Sequence, residues 1–279
     1  MNTRDWEWTS HDGLNMYAQS WEPDESPKAV VCLVHGLGEH VGRYAHVGKA
    51  FAEEDFVLAG FDLRGHGKSS GPRGHIPSLV TVMGDIQLFC QQLEERYPGT
   101  PQFLYGHSMG GFLVLAYATF KSNTLRGVIS TGPALRTPVL EQKFKIGLAK
   151  VLGSFMPTMT ISTGLEVSFI SRDHQVVRAY QEDPLVHGMG TLAAAQMGLD
   201  AVDWAFAHAP DFSVPLLLLH GSEDKIAYPH GSQEFANLVP SNCTLKFWKG
   251  LYHEIHNEPE QKEVFAFMID WMDSQLKKK

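Results

Sequence analysis

Two apolar patterns alternate along the first half of the chain. Ala29–Val34 and Phe56–Phe61 are unbroken apolar runs of strand length, as expected for strands buried on both faces of a parallel sheet. Residues 102–105 and 125–130 read as further strands. Residues 44–54, 79–97 and 109–120 carry helical spacing, the second stretch stopped by Pro98-Gly99. Ahead of this rhythm, residues 6–9 and 14–21 flank His11-Asp12-Gly13 and predict an antiparallel hairpin. Strands alternating with helices predict a doubly wound, mostly parallel α/β sheet flanked by helices.

The rhythm stops after Thr131-Gly132-Pro133. Residues 134–209 show helix-like spacing and no strong strand. Leu140, Phe144, Leu148, Val151, Leu152 and Phe155 share one helical face, and Lys143, Lys145 and Lys150 fall off it. Strand pattern returns at residues 214–220, followed by a helix near 231–238, a strand near 244–248 and a final helix over 259–276. The expected organisation is a catalytic domain of residues 1–133 and 210–279. Residues 134–209 are then a helical cap inserted between two sheet strands.

Composition narrows the function classes. The chain is 43% apolar and 19% charged, a globular balance with enough apolar material for a large core. Its formal net charge of -8 gives no electrostatic footprint for nucleic acid. Cys32, Cys90 and Cys243 have no metal-ligand spacing and form no even disulfide framework. The polar start, Met1-Asn2-Thr3-Arg4-Asp5, lacks a signal-peptide core, and no run is long enough to span a bilayer. These features predict a cytoplasmic protein.

Gly106-His107-Ser108-Met109-Gly110 carries the chemistry. It fits G-x-S-x-G and sits between a predicted strand and a predicted helix. Such a turn strains the serine backbone and exposes its Oγ above the sheet. A serine hydroxyl is too weak an acid to attack unaided, so a base must lie within hydrogen-bond reach. In α/β-hydrolase sheets the order is Ser, acid, His, with the acid and base on loops at strand ends. Asp224 follows the strand pattern at 214–220, with Glu223 as the alternative acid. His253 follows the strand near 244–248, with His256 as the competing base. The expected oxyanion donors are the N–H of Met109 and that of Leu37, in the loop His35-Gly36-Leu37-Gly38. Gly36 and Gly38 are expected to let that loop fold against the nucleophile. This chemistry requires no metal and no organic cofactor.

These segments together resemble the monoacylglycerol lipase family of α/β-hydrolases. His35-Gly36-Leu37-Gly38-Glu39-His40 followed by Gly42-Arg43-Tyr44 is similar to that family's oxyanion segment. Asp62-Leu63-Arg64-Gly65-His66-Gly67-Lys68-Ser69 is similar to its next loop, with Arg64 and His66 expected as loop supports. Gly106–Gly111, Gly221–Asp224 and Leu251–His256 are similar to its nucleophile, acid and base segments. The resemblance runs through the catalytic domain in order and is weak in residues 134–209. It implies hydrolysis of a lipid ester, with Glu39, Arg43 and His256 as candidates for binding a glycerol head. Glu39 and Arg43, four apart, could equally form a simple ion pair. Phe144, Leu148, Leu152, Phe155, Met156 and Met159 are candidates for lining an acyl tunnel, the alternative being that they pack the cap onto the sheet domain; the Leu140–Phe155 face is also a candidate for transient contact with a lipid surface. The alternatives on the same scaffold are a lysophospholipase, a broad carboxylesterase, a peptidase-like or C–C bond hydrolase, and a ligand receptor that retains the triad.

Overall fold

The computed structural model describes residues 1–120, 124–138 and 155–278. Eight strands form one sheet in the order β1-β2-β4-β3-β5-β6-β9-β10. They are β1 (Asn2–Thr9), β2 (Asn15–Glu22), β3 (Ala29–Val34), β4 (Phe56–Phe61), β5 (Gln102–His107), β6 (Gly127–Thr131), β9 (Leu216–Gly221) and β10 (Cys243–Trp248). β1 and β2 form the expected hairpin, and β2 alone runs against the others. Every pairing from β4 to β10 is parallel.

The apolar runs are strands because both faces of the sheet are covered. Alternate residues Val30, Cys32 and Val34 of β3 enter one core, with α2 (Leu79–Arg96) and α3 (Met109–Phe120). Ala29, Val31 and Leu33 enter the other, with α1 (Ala45–Ala52) and the C-terminal helix Gln261–Leu276. Ser78 starts α2 by accepting from the Thr81 N–H, and Arg96 lies in its last turn, as a helix dipole favours. The chain leaves β3 toward β4 on one side and later returns to β5 on the other. A crevice therefore opens at the carboxyl ends of β3 and β5, where doubly wound sheets bind ligands.

Between β6 and β9 the described residues contain β7 (Thr160–Ser162), α4 (His174–Glu182), β8 (Met189–Thr191) and α5 (Leu192–His208). β7 and β8 pair antiparallel, a short ladder in a segment whose pattern shows no strong strand. Each is only three residues long, and β7 is largely exposed, so no buried alternation marks it. α5 packs on α3, and its Thr191 N-cap accepts from the Ala194 N–H. Among the described residues, the remaining α-helices are α6 (Pro229–Leu238) and α7, the C-terminal helix given above. Leu140, Phe144, Leu148, Val151 and Leu152 lie outside the described residues. Among the described residues, no helix is long and apolar enough to cross a membrane.

Candidate active site

The turn from β5 to α3 is built from close backbone contacts. A Cβ on Gly106 would lie 2.2 Å from the Gly110 carbonyl oxygen, and one on Gly110 only 1.9 Å from that of Val34. Only glycine fits at either place, which leaves Ser108 at the apex with φ of 55°. That is left-handed backbone, a strained conformation for serine. Ser108 remains partly exposed although its flanking residues are buried.

Three segments converge on this apex. The imidazole of His253 lies between Ser108 and Asp224, its Nε2 2.9 Å from Ser108 Oγ and its Nδ1 2.7 Å from Asp224 Oδ2. Asp224 is buried and also accepts from His220 Nε2 and from the N–H groups of Ile226 and Ala227. Burial alone would raise its pKa. The neighbouring His253 and the bonds from His220 and His253 outweigh that and hold Asp224 well below the usual carboxylate range. The same carboxylate outweighs the burial of His253 and lifts its pKa above the usual imidazole value. Asp224 rather than Glu223 is thus the carboxylate at this ring.

The loop after β3 passes directly beside the serine. A Cβ on Gly36 would stand 3.3 Å from Ser108 Cβ and 2.8 Å from Glu39 Oε1. The Gly36 N–H donates to that Oε1 at 2.6 Å. Among the described residues, no carbonyl accepts from the N–H of Leu37 or of Met109. Met109 stands at the positive end of α3, where the first N–H groups of a helix have no partner within the helix. Gly38 behaves otherwise than expected. Its added Cβ would meet the His187 carbonyl oxygen at 2.3 Å, and its own carbonyl accepts from the His187 N–H. Gly38 therefore admits the 134–209 segment rather than the nucleophile.

Glu39, Arg43 and His256 all lie close to this loop. Arg43 pairs with Glu39 at 2.6 Å but also grips Glu254 through Nη1 and Nη2, at 2.8 and 2.7 Å. The expected simple pair is a three-member buried cluster, and Glu254 carries no signal in the sequence beyond its place next to His253. Burial raises the pKa of Glu39 despite Arg43, whereas Arg43 outweighs burial at Glu254 and brings it down to about 2. His256 is fully buried, stacked on Tyr44 and edge-on to His107, and does not replace His253 at the serine. Among the described residues, neither of its ring nitrogens finds a hydrogen-bond partner. Burial, reinforced by His107, keeps it neutral by lowering its pKa.

Two supports lie outside the centre. Arg64 bonds Asp85 and Asp12, and His66 is buried, so both brace the loop after β4 as expected. Gly65 and Gly67 have φ of 72° and 49° in the turn that these residues stabilise. Of the acyl-tunnel candidates, Phe155, Met156 and Met159 are exposed. Phe144, Leu148 and Leu152 lie outside the described residues.

A serine on a strand-to-helix turn, an imidazole at its Oγ and a buried aspartate behind the ring define an α/β-hydrolase of the serine hydrolase class. The chain matches the serine aminopeptidase S33 family over residues 25–260 and belongs to it. It is 34% identical to a monoacylglycerol lipase of Mycolicibacterium smegmatis over 95% of both chains. The crystal structure of a Paleococcus ferrophilus monoacylglycerol lipase superposes with a TM-score of 0.84 at 32% identity, covering 99% of this chain and 100% of that one. An uncharacterised abhydrolase domain-containing protein of Dictyostelium discoideum is 40% identical over 95% of this chain, which spans 28% of that relative's length.

Proposed function

We propose that this chain is a carboxylic ester hydrolase that cleaves monoacylglycerols to fatty acid and glycerol. The observation that carries the reading is the unbroken hydrogen-bonded path Ser108–His253–Asp224 at 2.9 and 2.7 Å. In this reading Ser108 Oγ attacks the ester carbonyl while His253 Nε2 takes its proton. Asp224 holds the ring in the tautomer with Nδ1 protonated and stabilises the imidazolium. The N–H groups of Leu37 and Met109 receive the tetrahedral oxyanion. His253 then protonates the leaving glycerol oxygen. Water, deprotonated by the same imidazole, releases the acyl group from Ser108. No step requires a metal or organic cofactor.

The choice of a lipid ester is supported by the relatives and by the apolar side chains of residues 134–209. We read this segment as a cap over the crevice, between catalytic portions 1–133 and 210–279. Its contacts favour that role, since His187 bonds Gly38 beside the oxyanion loop and Ile170 bonds Glu254 beside the base. Glu39, Arg43 and His256 then form the floor of the head-group end. Exposed Phe155, Met156, Met159 and Met189 supply an apolar surface for transient contact with lipid. A cytoplasmic location belongs to the same reading, supported by three free cysteines.

The test is turnover of monoacylglycerols of graded chain length beside triacylglycerols, lysophospholipids and aminoacyl amides, with Ser108→Ala as control. Monoacylglycerols should be the best substrates and Ser108→Ala should fall to background. Faster turnover of lysophospholipids or amides would overturn the substrate assignment. Near-wild-type activity in Ser108→Ala would overturn the mechanism.

A further inference from the structure

We propose that Glu254 is a positioning residue that locks the loop bearing His253 to the oxyanion loop through Arg43. This rests on the serine-esterase reading above and concerns a side chain to which the family resemblance gives no role. Glu254 directly follows His253 and is buried. Its two carboxylate oxygens accept from Arg43 Nη1 and Nη2 at 2.8 and 2.7 Å, and Oε2 also accepts from Asn257 Nδ2 at 2.7 Å. Arg43 Nη1 also donates to Glu39 Oε2 at 2.6 Å, and Glu39 Oε1 accepts from the Gly36 N–H at 2.6 Å. A continuous run of charge-assisted hydrogen bonds thus joins the residue after the base to the residue before the Leu37 donor. A bidentate guanidinium–carboxylate pair fixes orientation as well as distance.

The cluster costs desolvation energy, because one cation faces two buried carboxylates and Tyr44. What it returns is registry. Ser108 Oγ, His253 Nε2 and the oxyanion donors come from three separate loops, and a misplacement of about 1 Å can cost about a hundredfold in rate. The backbone at residue 254 is anchored independently by its N–H to the Ile170 carbonyl. Its side chain is therefore the part free to set the distance to the oxyanion loop. Among the described residues, the groups around His253 include Asp224 from the loop after β9, His107 from β5, Ser108, His256 from its own loop, and the Glu39–Arg43–Glu254 cluster. Removing the Glu254 charge takes away one of the carboxylates that favour the imidazolium.

The experiment measures kcat and KM against pH on a short-chain p-nitrophenyl ester for wild type, Ser108→Ala, Glu254→Gln and Asn257→Ala. Glu254→Gln keeps the shape and removes the charge. It should lower kcat about 10- to 100-fold with KM little changed, and move the acid limb of kcat/KM to lower pH. Asn257→Ala loosens the same carboxylate without neutralising it, and should lower kcat a few-fold with the acid limb in place. A folded Glu254→Gln with wild-type kcat and acid limb would overturn the proposal. So would a loss confined to KM or to melting temperature. If Glu254→Gln does not fold, wild-type kcat in Asn257→Ala overturns it instead. The parent reading is checked separately by the wild type and Ser108→Ala. An inactive wild type or an active Ser108→Ala would overturn that reading, and this proposal with it.

Discussion

Replacing Gly36 by alanine sets one methyl group against the two features that make the oxyanion loop. The new Cβ would stand 2.8 Å from Glu39 Oε1 and 3.3 Å from Ser108 Cβ. The first distance is shorter than a carbon–oxygen contact allows, so something must move by several tenths of an ångström. Glu39 cannot swing freely, because its Oε1 also accepts from Tyr44 and its Oε2 from Arg43. The loop itself must therefore lift, and Leu37 moves with it. Complete loss of an oxyanion donor costs about 10²–10³ in kcat, so a donor displaced but not removed should cost about 10- to 100-fold. Overpacking of this kind also costs about 1–3 kcal/mol of stability. The assay is steady-state hydrolysis of a p-nitrophenyl ester beside thermal unfolding. The matched control is Gly188→Ala, where a Cβ would meet only Thr163 Oγ1 at 3.9 Å. A Gly36→Ala enzyme with kcat within about twofold of wild type, or with its loss confined to KM, would refute this account of the loop.

Two further predictions follow from the buried ionisable groups. Asp224→Asn should retain the fold and lose about 10³–10⁴ in kcat, because the amide cannot stabilise the imidazolium and favours the wrong tautomer; steady-state kinetics and a melting curve check both parts. Burial, aided by His187 and His253 respectively, brings His66 and His107 down to about 3 from the usual 6.5. Below pH 6.5 the unfolded chain takes up protons that the folded chain refuses. Their contribution is therefore complete above 6.5 and is lost as pH falls toward 3, at up to about 1.4 kcal/mol per histidine per pH unit. The melting temperature should drop steadily from pH 7 to 5, and a flat profile would contradict neutral, desolvated imidazoles.

The sheet was legible because burial on both faces writes itself as unbroken apolar runs, and β3 and β4 fall where those runs predict. Ser108, Asp224 and His253 were legible for a different reason. The fold places its functional loops at strand carboxyl ends, so locating the strands locates the candidates. What stayed hidden depends on contacts between distant segments. The β7–β8 ladder is short and lies partly on the surface, so it needs no apolar alternation. Gly38 reads like Gly36 in sequence, and only the path of residues 134–209 shows that it admits the His187 carbonyl. Glu254 beside His253 looks like an ordinary loop acid until Arg43, 211 positions away, closes on it.

The central claim is that Ser108 is the nucleophile and that His253 activates it. Treatment with a fluorophosphonate ester, followed by intact-mass measurement and peptide mapping, tests it most directly. A single phosphonyl adduct on Ser108, forming rapidly in wild type and very slowly in His253→Ala, is the result predicted. An adduct on another residue, or full ester hydrolysis by protein already modified at Ser108, would contradict it.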